Sequence, residues 1–483
     1  MDWRPALRIG AYHGSHAELR RPPVVSARRS LDISGALLAL VCGAVAGLVL
    51  ARLGNADNQL KASVVAFGAA AVALTAIRPA TGLGLVVVMV PFEFPITVGG
   101  VLTGTNEILL CAFAALLIWH VRLDAVPAWA RFGTGAIVIG SFLSTLGAFD
   151  PTTAAWGGVR WLVVAVIVFA AFSVLRDRED AEGRALDLFT GAAVVVVGFA
   201  GLQYVGIDAI VGPPYDGVHV DSSFGYYTNY AGFVGVAAVL ATGEALHAWV
   251  IGRPGRATLY GFALVVLLLG AALSLSRGGV LVVGAGWLTL VALSLRRGSV
   301  VVRAVVLLAV IAVAAYVAVP SGTRETLTKR VVTRVGSQTE DKMRFALQQT
   351  GQRAAFANPL GLGYGNFPDY LNRNAGNSYI GTAVYHSHRL PTQIALDSGW
   401  LGLLGFVVLL GGPFIAFLRR GPTGPSDIRA ATFLAAIAGF VAQGMFDYLL
   451  VELAMVAVLG FLVWGAGQAL RVTPGGDART PAS

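Results

Sequence analysis

Residues 300–319 read VVVRAVVLLAVIAVAAYVAV, a continuous and almost entirely apolar run. As an α-helix, such a run is long enough to cross a hydrocarbon core about 30 Å thick. The strands of a membrane β-barrel would instead alternate in polarity over segments of about ten residues. Similar runs recur along the 483 residues, of which 56% are hydrophobic and only 13% are charged. The sequence therefore predicts an all-α polytopic membrane protein.

The apolar runs predict about 12–14 transmembrane helices with one large extracytoplasmic loop that contains short helices. We place candidate spans at residues 33–51, 62–77, 82–96, 106–121, 132–149, 153–174, 185–205, 228–249, 257–275, 278–296, 300–319, 393–417, 428–449 and 451–470. The run at 62–77 is short for a full crossing, and the run at 82–96 contains Pro91 and Pro95, which disfavour a continuous helix.

Lysine and arginine residues predict the orientation of these spans. Six arginines precede the first span and every second connection is basic, whereas the connections at 99–105, at Asp150 and at 207–227 contain no Lys or Arg. Because positive residues stay on the cytoplasmic side, we predict a multi-pass protein of the cytoplasmic membrane with both termini in the cytoplasm. Topology also explains the net charge of +9, so we expect no nucleic-acid partner.

The same pattern divides the chain into five segments. These are a cytoplasmic tail predicted to be disordered (1–32), a transmembrane bundle (33–319), an extracytoplasmic loop (320–392), C-terminal transmembrane helices (393–471) and a second cytoplasmic tail (472–483). Residues 321–389 carry nine Lys or Arg on the predicted external side, where basic residues are normally rare. An anionic ligand at the outer membrane surface is the simplest reason for them, so we predict that the loop contributes the active site.

The motif Ser276-Arg277-Gly278 lies at a predicted external junction between two spans. Gly278 begins the second helix, so free backbone N–H groups, the positive end of the helix dipole and the Arg277 guanidinium would converge there. Such a corner suits a phosphate group. An interfacial arginine that reaches lipid headgroups beside a glycine-rich turn explains the same pattern.

A second pattern lies within the loop. Met343 and Leu347 share one face of a predicted helix and Arg344 lies on another, which predicts an amphipathic helix resting on the bilayer surface. The segment that follows, NPLGLGYGNF at 358–367, contains Tyr364 and Asn366 and predicts a tight turn. No strand precedes these glycines, which argues against a dinucleotide site. A structured loop with ordinary surface arginines is the alternative.

The loop ends in His386-Ser387-His388-Arg389, and His388 lies eleven residues before the first glycine of Gly399-Trp400-Leu401-Gly402. A histidine at the mouth of a membrane helix exchanges a proton near neutral pH, which fits general acid–base catalysis at a sugar hydroxyl. Two histidines at i and i+2 could instead bind a metal. No Cys or further His supports a metal site, so we expect neither a metal nor a cofactor.

Together these motifs resemble those of the O-antigen ligase and polymerase family, the Wzy/WaaL-like integral membrane glycosyltransferases. The resemblance extends from about residue 224 to 410. It is carried by the Ser-Arg-Gly element, the arginine of the loop helix before Pro-Leu-Gly-x-Gly-x-x-Asn, the histidine with its downstream GxxG, and an element that opens an earlier span: Ser276-Arg277-Gly278, Arg344, His388 with Gly399 and Gly402, and Phe224-Gly225 followed by Asn229-Tyr230-Ala231.

The chain departs from the family pattern next to the histidine. The family usually places Asn, Ser or Gln there, whereas Arg389 follows His388. Because Ser387 lies between two histidines, the sequence leaves open which of them is functional. The spacing to Gly399 favours His388.

The resemblance implies a GT-C-like fold and transfer or polymerisation of an oligosaccharide for cell-surface polysaccharide biosynthesis. The donor would be a polyprenyl (undecaprenyl-type) diphosphate, the acceptor a hydroxyl of a glycan, lipid or protein, and the reaction inverting and metal-independent, within membrane lipids. Arg277 and Arg344 would stabilise the diphosphate and His388 would accept the hydroxyl proton. Further substrate contacts are predicted at Ser276, Gly278, Arg389, Asn229, Tyr364, Asn366, Arg160 and His386.

Two other functions fit parts of this pattern. A multi-pass transporter of an anion or of a lipid-linked sugar would use the external cations and Arg160, which lies within a predicted span. It gives no task to the loop histidine, and no inverted repeat is evident. A catalytically inactive scaffold would tolerate loss of Arg277, Arg344 and His388.

Overall fold

The computed structural model describes residues 71–92, 95–98, 101–178, 180–207, 219–295, 339–374, 386–420 and 426–471, with isolated positions between 322 and 329. Both predicted tails, the predicted spans at 33–51 and 300–319 and most of the predicted span at 62–77 lie outside these residues.

The described part of the chain is helical apart from one short hairpin. Its helices are α1 (Pro79–Met89), α2 (Thr105–Leu117), α3 (Ala128–Leu143), α4 (Pro151–Val174), α5 (Ala181–Tyr204), α6 (Tyr227–Val250), α7 (Pro254–Leu273), α8 (Arg277–Ser294), α9 (Thr339–Ala357), α10 (Phe367–Asn374), α11 (Leu390–Arg419), α12 (Ser426–Gly444) and α13 (Leu453–Ala469). Strands β1 (Pro95–Val98) and β2 (Val101–Gly104) pair antiparallel between α1 and α2. Among the described helices, α4, α5, α6, α7, α8 and α11 are long and apolar enough to cross a membrane. The prediction of an all-α polytopic membrane protein is confirmed.

Two predicted spans differ from the structure at prolines and at an acidic residue. The predicted span at 82–96 is instead α1, which ends at Met89, followed by Pro91 and then β1. Proline lacks an N–H and disfavours helix for the residue before it, which explains this break.

The predicted span at 428–449 is shorter than expected, because α12 ends at Gly444. The connection that follows contains a 3₁₀ turn, Leu449–Val451, before α13 begins. Within it, the Asp447 side chain accepts a hydrogen bond from the backbone N–H of Tyr448 at 2.9 Å. Short acidic side chains compete with the helical backbone in this way. Asp447 therefore lies at a helix end and not inside a span.

Helix α6 is the central helix of the described bundle. Nearly all of its residues from Asn229 to Ala248 are buried, and it contacts α5, α7, α8 and α12. A helix that is apolar on all sides is expected in this position. Helix α13 is buried along its whole length in the same core.

Helices α3 and α11 lie so close that their backbones touch. A Cβ atom built on Gly140 would lie 2.3 Å from the carbonyl oxygen of Ser398, and one built on Gly405 would lie 2.5 Å from that of Gly133. Small residues allow such close approach between membrane helices. The N-terminal half of α11 is thereby fixed against α3.

The predicted loop helix is α9, but its apolar face does not rest on the bilayer. Leu347 and Ala354 are buried in a small cluster with Leu396 of α11 and with Phe367 and Leu371 of α10. The apolar face of α9 is thus covered by side chains of α10 and α11 and not, as the sequence had led us to expect, by the bilayer. This packing brings Arg344 towards the residues that precede α11.

Candidate functional site

The glycine-rich segment that follows α9 docks on a break in α11. Gly399 has φ of +66° and ψ of −175° inside this helix. Beside it, the Leu396 carbonyl accepts hydrogen bonds from the N–H groups of Leu362 and Gly363 at 2.6 and 3.1 Å, and Trp400 donates to the Pro359 carbonyl at 2.9 Å. A Cβ on Gly399 would lie 2.7 Å from the backbone of Leu360. Only glycine fits this conformation and this close contact.

His388, just before α11, pairs with Asp447 in the connection after α12. The Nδ1 atom of His388 lies 2.9 Å from Oδ1 of Asp447, and Asp447 is only 8% exposed. Because an ionised carboxylate can only accept hydrogen bonds, His388 donates through Nδ1–H, and in the neutral imidazole this tautomer leaves Nε2 as the acceptor. A carboxylate that orients an imidazole in this way is typical of a general base.

The surroundings of Asp447 keep it ionised. Burial by itself would raise the pKa of this carboxyl group. The hydrogen bond that Asp447 accepts from His388 and the positive charge of Arg344 outweigh burial and hold its pKa well below the usual range. The site therefore contains a fixed negative charge behind His388.

His386 lies beside the pair and has a different environment. Its ring centroid is 4.2 Å from that of His388 and 5.5 Å from that of Tyr448, and its Nδ1 accepts a hydrogen bond from the His388 N–H at 3.2 Å. Burial, with the charges of His388 and Arg344, lowers the pKa of His386 to about 3 despite the opposing charge of Asp447. Of the two histidines, His388 is the one paired with a carboxylate, and His386 is held neutral.

Helix α9 carries Arg344 to this pair. The charge of Arg344 acts on both His386 and Asp447, where it lowers the pKa of each. One helical turn further on, Gln348 donates from Nε2 to the backbone carbonyl of His388 at 2.9 Å. Residues four apart share one face of a helix, so α9 presents a cation and a positioning amide to the same turn.

The Ser276-Arg277-Gly278 corner lies beside the end of α12. The Ser276 side chain caps α8 by accepting a hydrogen bond from the Gly278 N–H at 3.2 Å. A Cβ on Gly278 would lie 2.7 Å from Nε2 of Gln443.

Gln443 links this corner to two other predicted site residues. It donates to the backbone carbonyl of Thr228, next to Asn229, at 2.9 Å. The backbone carbonyl of Gln443 accepts a hydrogen bond from the backbone N–H of Asp447 at 3.0 Å. Gln443 therefore connects the segment that contains Asp447 with two other segments, namely 276–278 and 228–229. Arg389 directly follows His388 and is the last residue before α11.

Three predicted substrate contacts bond to the protein backbone around the 449–451 turn and Asp150. Arg160 is 3% exposed, donates to the Val451 carbonyl at 2.5 Å and lies 4.6 Å from the centre of the Tyr364 ring. The Tyr364 hydroxyl donates to the same carbonyl at 3.2 Å. Asn366 is fully buried and bonds to the backbone N–H and carbonyl of Asp150. These side chains hold the loop and the 449–451 turn against α4.

Sequence reasoning missed Asp447 and its polar neighbours. The predicted spans at 428–449 and 451–470 left only one residue between them, so Asp447 was assigned to a span and not to a connection. Asp447, Gln443, Asp397 and Gln393 are all buried. Acidic and amide side chains inside apolar runs mark functional positions in membrane proteins. That signal was present in the sequence.

His386, His388 and Asp447 also satisfy a loose spacing criterion for a metal. Each offers one possible ligand atom, and the three atoms lie within 4.8 Å of one another. In a tetrahedral zinc site the ligand atoms are closer, about 3.3 Å apart. The hydrogen bond between His388 and Asp447 and the positive charge of Arg344 favour an acid–base pair, and the absence of a metal requirement stays a prediction.

Residues 262–407 match the family model Wzy_C, described as O-antigen ligase. The matched segment contains Arg277, Arg344, His388 and the Gly399 break, and it ends before Asp447. Among curated proteins, none matches the chain.

Proposed function

We propose that this chain, whose match supports its assignment to the O-antigen ligase and polymerase family, transfers or polymerises an oligosaccharide from a polyprenyl diphosphate donor. The match confirms the resemblance seen in the motifs, and the family implies a role of the ligase or polymerase type in cell-surface polysaccharide synthesis. The donor, the acceptor hydroxyl and the outer face of the cytoplasmic membrane as the place of reaction are our proposal. The observation that carries it is the His388–Asp447 pair with Arg344 beside it.

In this proposal His388 is the general base. The acceptor hydroxyl gives its proton to Nε2 of His388 while its oxygen attacks the anomeric carbon of the donor sugar. A new carbon–oxygen bond forms as the bond from that carbon to the diphosphate oxygen breaks, and the electron pair leaves with the diphosphate. Attack opposite to the leaving group inverts the anomeric carbon. Asp447 stabilises the imidazolium that forms.

Arg277 and Arg344 stabilise the leaving group. Negative charge develops on the diphosphate as its bond to the sugar breaks, and fixed cations at that point lower the barrier. Guanidinium groups bind phosphate oxygens in a bidentate way, and the N-terminus of α8 adds backbone N–H groups. Two arginines thus supply the positive charge that a divalent metal would otherwise supply.

The other predicted contacts divide into two groups under this proposal. Ser276, Gly278, Asn229, His386 and Arg389 would contact the donor or the acceptor. For Arg160, Tyr364 and Asn366 we propose a supporting role, because their hydrogen bonds run to backbone groups of the protein.

The test uses purified protein in detergent with a polyprenyl diphosphate oligosaccharide and EDTA, and follows the lipid donor by mass spectrometry. We expect donor consumption with release of free polyprenyl diphosphate, loss of this activity in His388→Ala, and its retention in the control His120→Ala. The product mass would identify the acceptor. An intact donor with the wild-type protein, together with transport of the lipid-linked sugar in liposomes, would contradict the proposal in favour of a transporter.

A further inference from the structure

Six residues form a closed chain of covalent and hydrogen-bonded links at the outer end of α11. We call them the polar ring: Ser387, His388, Gln393, Asp397, Asp447 and Tyr448. Two of its links are peptide bonds, between Ser387 and His388 and between Asp447 and Tyr448. The other four are hydrogen bonds between 2.7 and 3.0 Å long.

Asp397 is the residue at which the two sides of the polar ring meet. It is 5% exposed and lies in α11 two positions before Gly399. Its Oδ1 accepts a hydrogen bond from Nε2 of Gln393 at 2.7 Å, and its Oδ2 accepts one from the Tyr448 hydroxyl at 3.0 Å. Its backbone carbonyl accepts a bond from the Ser144 hydroxyl at 2.8 Å. The carboxyl group is thus attached to a part of the bundle that is itself fixed.

One side of the polar ring leads to the histidine turn. The Oε1 atom of Gln393 accepts a hydrogen bond from the backbone N–H of Ser387 at 2.7 Å. This bond fixes the backbone immediately before His388, whose φ of +53° lies in the left-handed region. A non-glycine residue in that region needs support from its surroundings. Asp397 orients Gln393 through the other end of the same amide.

The other side leads to the carboxylate that faces His388. The backbone N–H of Tyr448 donates to Oδ1 of Asp447 at 2.9 Å, the same oxygen that lies 2.9 Å from Nδ1 of His388. The position of Tyr448 is set by its hydroxyl bond to Asp397. The Asp397 carboxyl group therefore orients both Gln393, which bonds to the backbone before His388, and Tyr448, which bonds to Asp447.

We propose that Asp397 is a positioning residue for proton transfer, which acts on His388 through Gln393 and on Asp447 through Tyr448. This inference rests on the proposed function of His388. A misplacement of about 1 Å in a reacting group can lower a rate by about 10²-fold. Burying a carboxyl group also has an energetic cost unless it is hydrogen-bonded, and at Asp397 both oxygens are bonded to the polar ring.

Tyr448→Phe tests one side of the polar ring. Phenylalanine keeps the ring packing and the backbone N–H to Asp447 and removes only the hydroxyl bond to Asp397. We expect kcat for donor turnover to fall by about 10-fold or more with KM within about twofold, because positioning affects the transition state more than substrate binding. Gln393→Met tests the other side, with the same expected split between kcat and KM.

Ser398→Ala is the matched control. Ser398 is also buried in α11, next to Asp397, but its hydroxyl bonds to the Ile394 carbonyl of the same helix and not to the polar ring. We expect its kcat to stay within about twofold of wild type. Thermal unfolding of all variants separates loss of folded protein from loss of turnover.

A double-mutant cycle distinguishes positioning from a general structural effect. If Tyr448 acts through Asp447, Tyr448→Phe should have little further effect in an Asp447→Asn background. Additive losses, or a kcat for Tyr448→Phe within twofold of wild type, would overturn the positioning role. Absence of donor turnover by the wild-type protein would refute the proposed function itself, so the two failures are distinguishable.

Discussion

Asp447 follows His388 by 59 residues, yet Oδ1 of Asp447 and Nδ1 of His388 lie 2.9 Å apart. Each residue is next to the end of a helix, His388 before Leu390 of α11 and Asp447 after Gly444 of α12. These two helices pack against each other. The pair is therefore held by the packing of helices and not by the conformation of a long loop alone.

Asp447→Asn should lower kcat by about 10²–10⁴-fold, the range of general-base catalysis. The asparagine amide is uncharged and can present an N–H to Nδ1 of His388, which favours the wrong tautomer and leaves an imidazolium without its counter-charge. Donor turnover measured by mass spectrometry would show this. Asp124→Asn, at an exposed carboxylate on the predicted cytoplasmic side, is the control and should keep wild-type kcat. Wild-type turnover by Asp447→Asn would exclude the carboxylate from the mechanism.

Arg344→Ala should abolish detectable transfer while the protein is still expressed and folded. The charge of Arg344 acts on His386 and Asp447, and under the proposed function its loss removes a fixed cation from the developing diphosphate charge, an effect of about 10²–10³-fold for one donor group. Arg353→Ala, at an exposed position of the same helix, should leave turnover unchanged. Arg277→Ala should behave like Arg344→Ala, and normal activity in either variant would remove that arginine from the proposal.

Gly399→Ala should destabilise the protein by about 2–3 kcal/mol, since its backbone conformation is almost exclusive to glycine. The added methyl group would also meet the backbone of Leu360 at 2.7 Å. Thermal unfolding in detergent would measure the loss. Gly411→Ala is the matched control, because it lies in the same helix and a Cβ there has nothing within 4 Å. Equal melting temperatures for the two variants would contradict the importance of the break.

His386 should make the protein less stable in mild acid. The pKa of His386 is about 3 in the folded protein against an ordinary value of 6.5, so between these values the unfolded chain binds a proton that the folded state excludes. The free energy of unfolding therefore falls as the pH falls through this window, by about 1–2 kcal/mol from pH 7 to pH 5.

His386→Gln isolates this contribution. The drop in melting temperature between pH 7 and pH 5 should be smaller in His386→Gln than in wild type, while Gly411→Ala, which changes no titratable group, should show the wild-type drop. An unchanged pH dependence in His386→Gln would mean that His386 is protonated in the folded protein.

Much of the fold could be predicted because hydrophobic length is a strong signal. The predicted spans at 153–174 and 228–249 agree with α4 and α6 to within about two residues at each end, the precision expected of helix boundaries. The errors occurred where an apolar run hides a local conformation. Pro91 ends one helix, and Asp447 bonds to its own backbone neighbour at the end of another.

The candidate site was predicted in part for the same reason. His388, Arg344 and Arg277 stand out because a charged or titratable side chain is conspicuous beside apolar spans. Asp447 and Asp397 are equally polar, but their role depends on contacts between distant helices, which no local pattern reveals. The Gly399 motif was recognised only by resemblance, and its physical reason became clear from the 359–363 segment that docks on it.

The contact between the backbones of α3 and α11 has a mechanical consequence. A Cβ atom built on Gly140 would lie 2.3 Å from the carbonyl oxygen of Ser398. Because the two backbones are this close, neither helix can slide or rotate past the other without a collision. The N-terminal part of α11, which His388 precedes, is thus the fixed side of the candidate site. Under the proposed function, entry of the donor would be accommodated by other elements, such as α9, which contacts α11 through side chains such as Leu347 and Leu396.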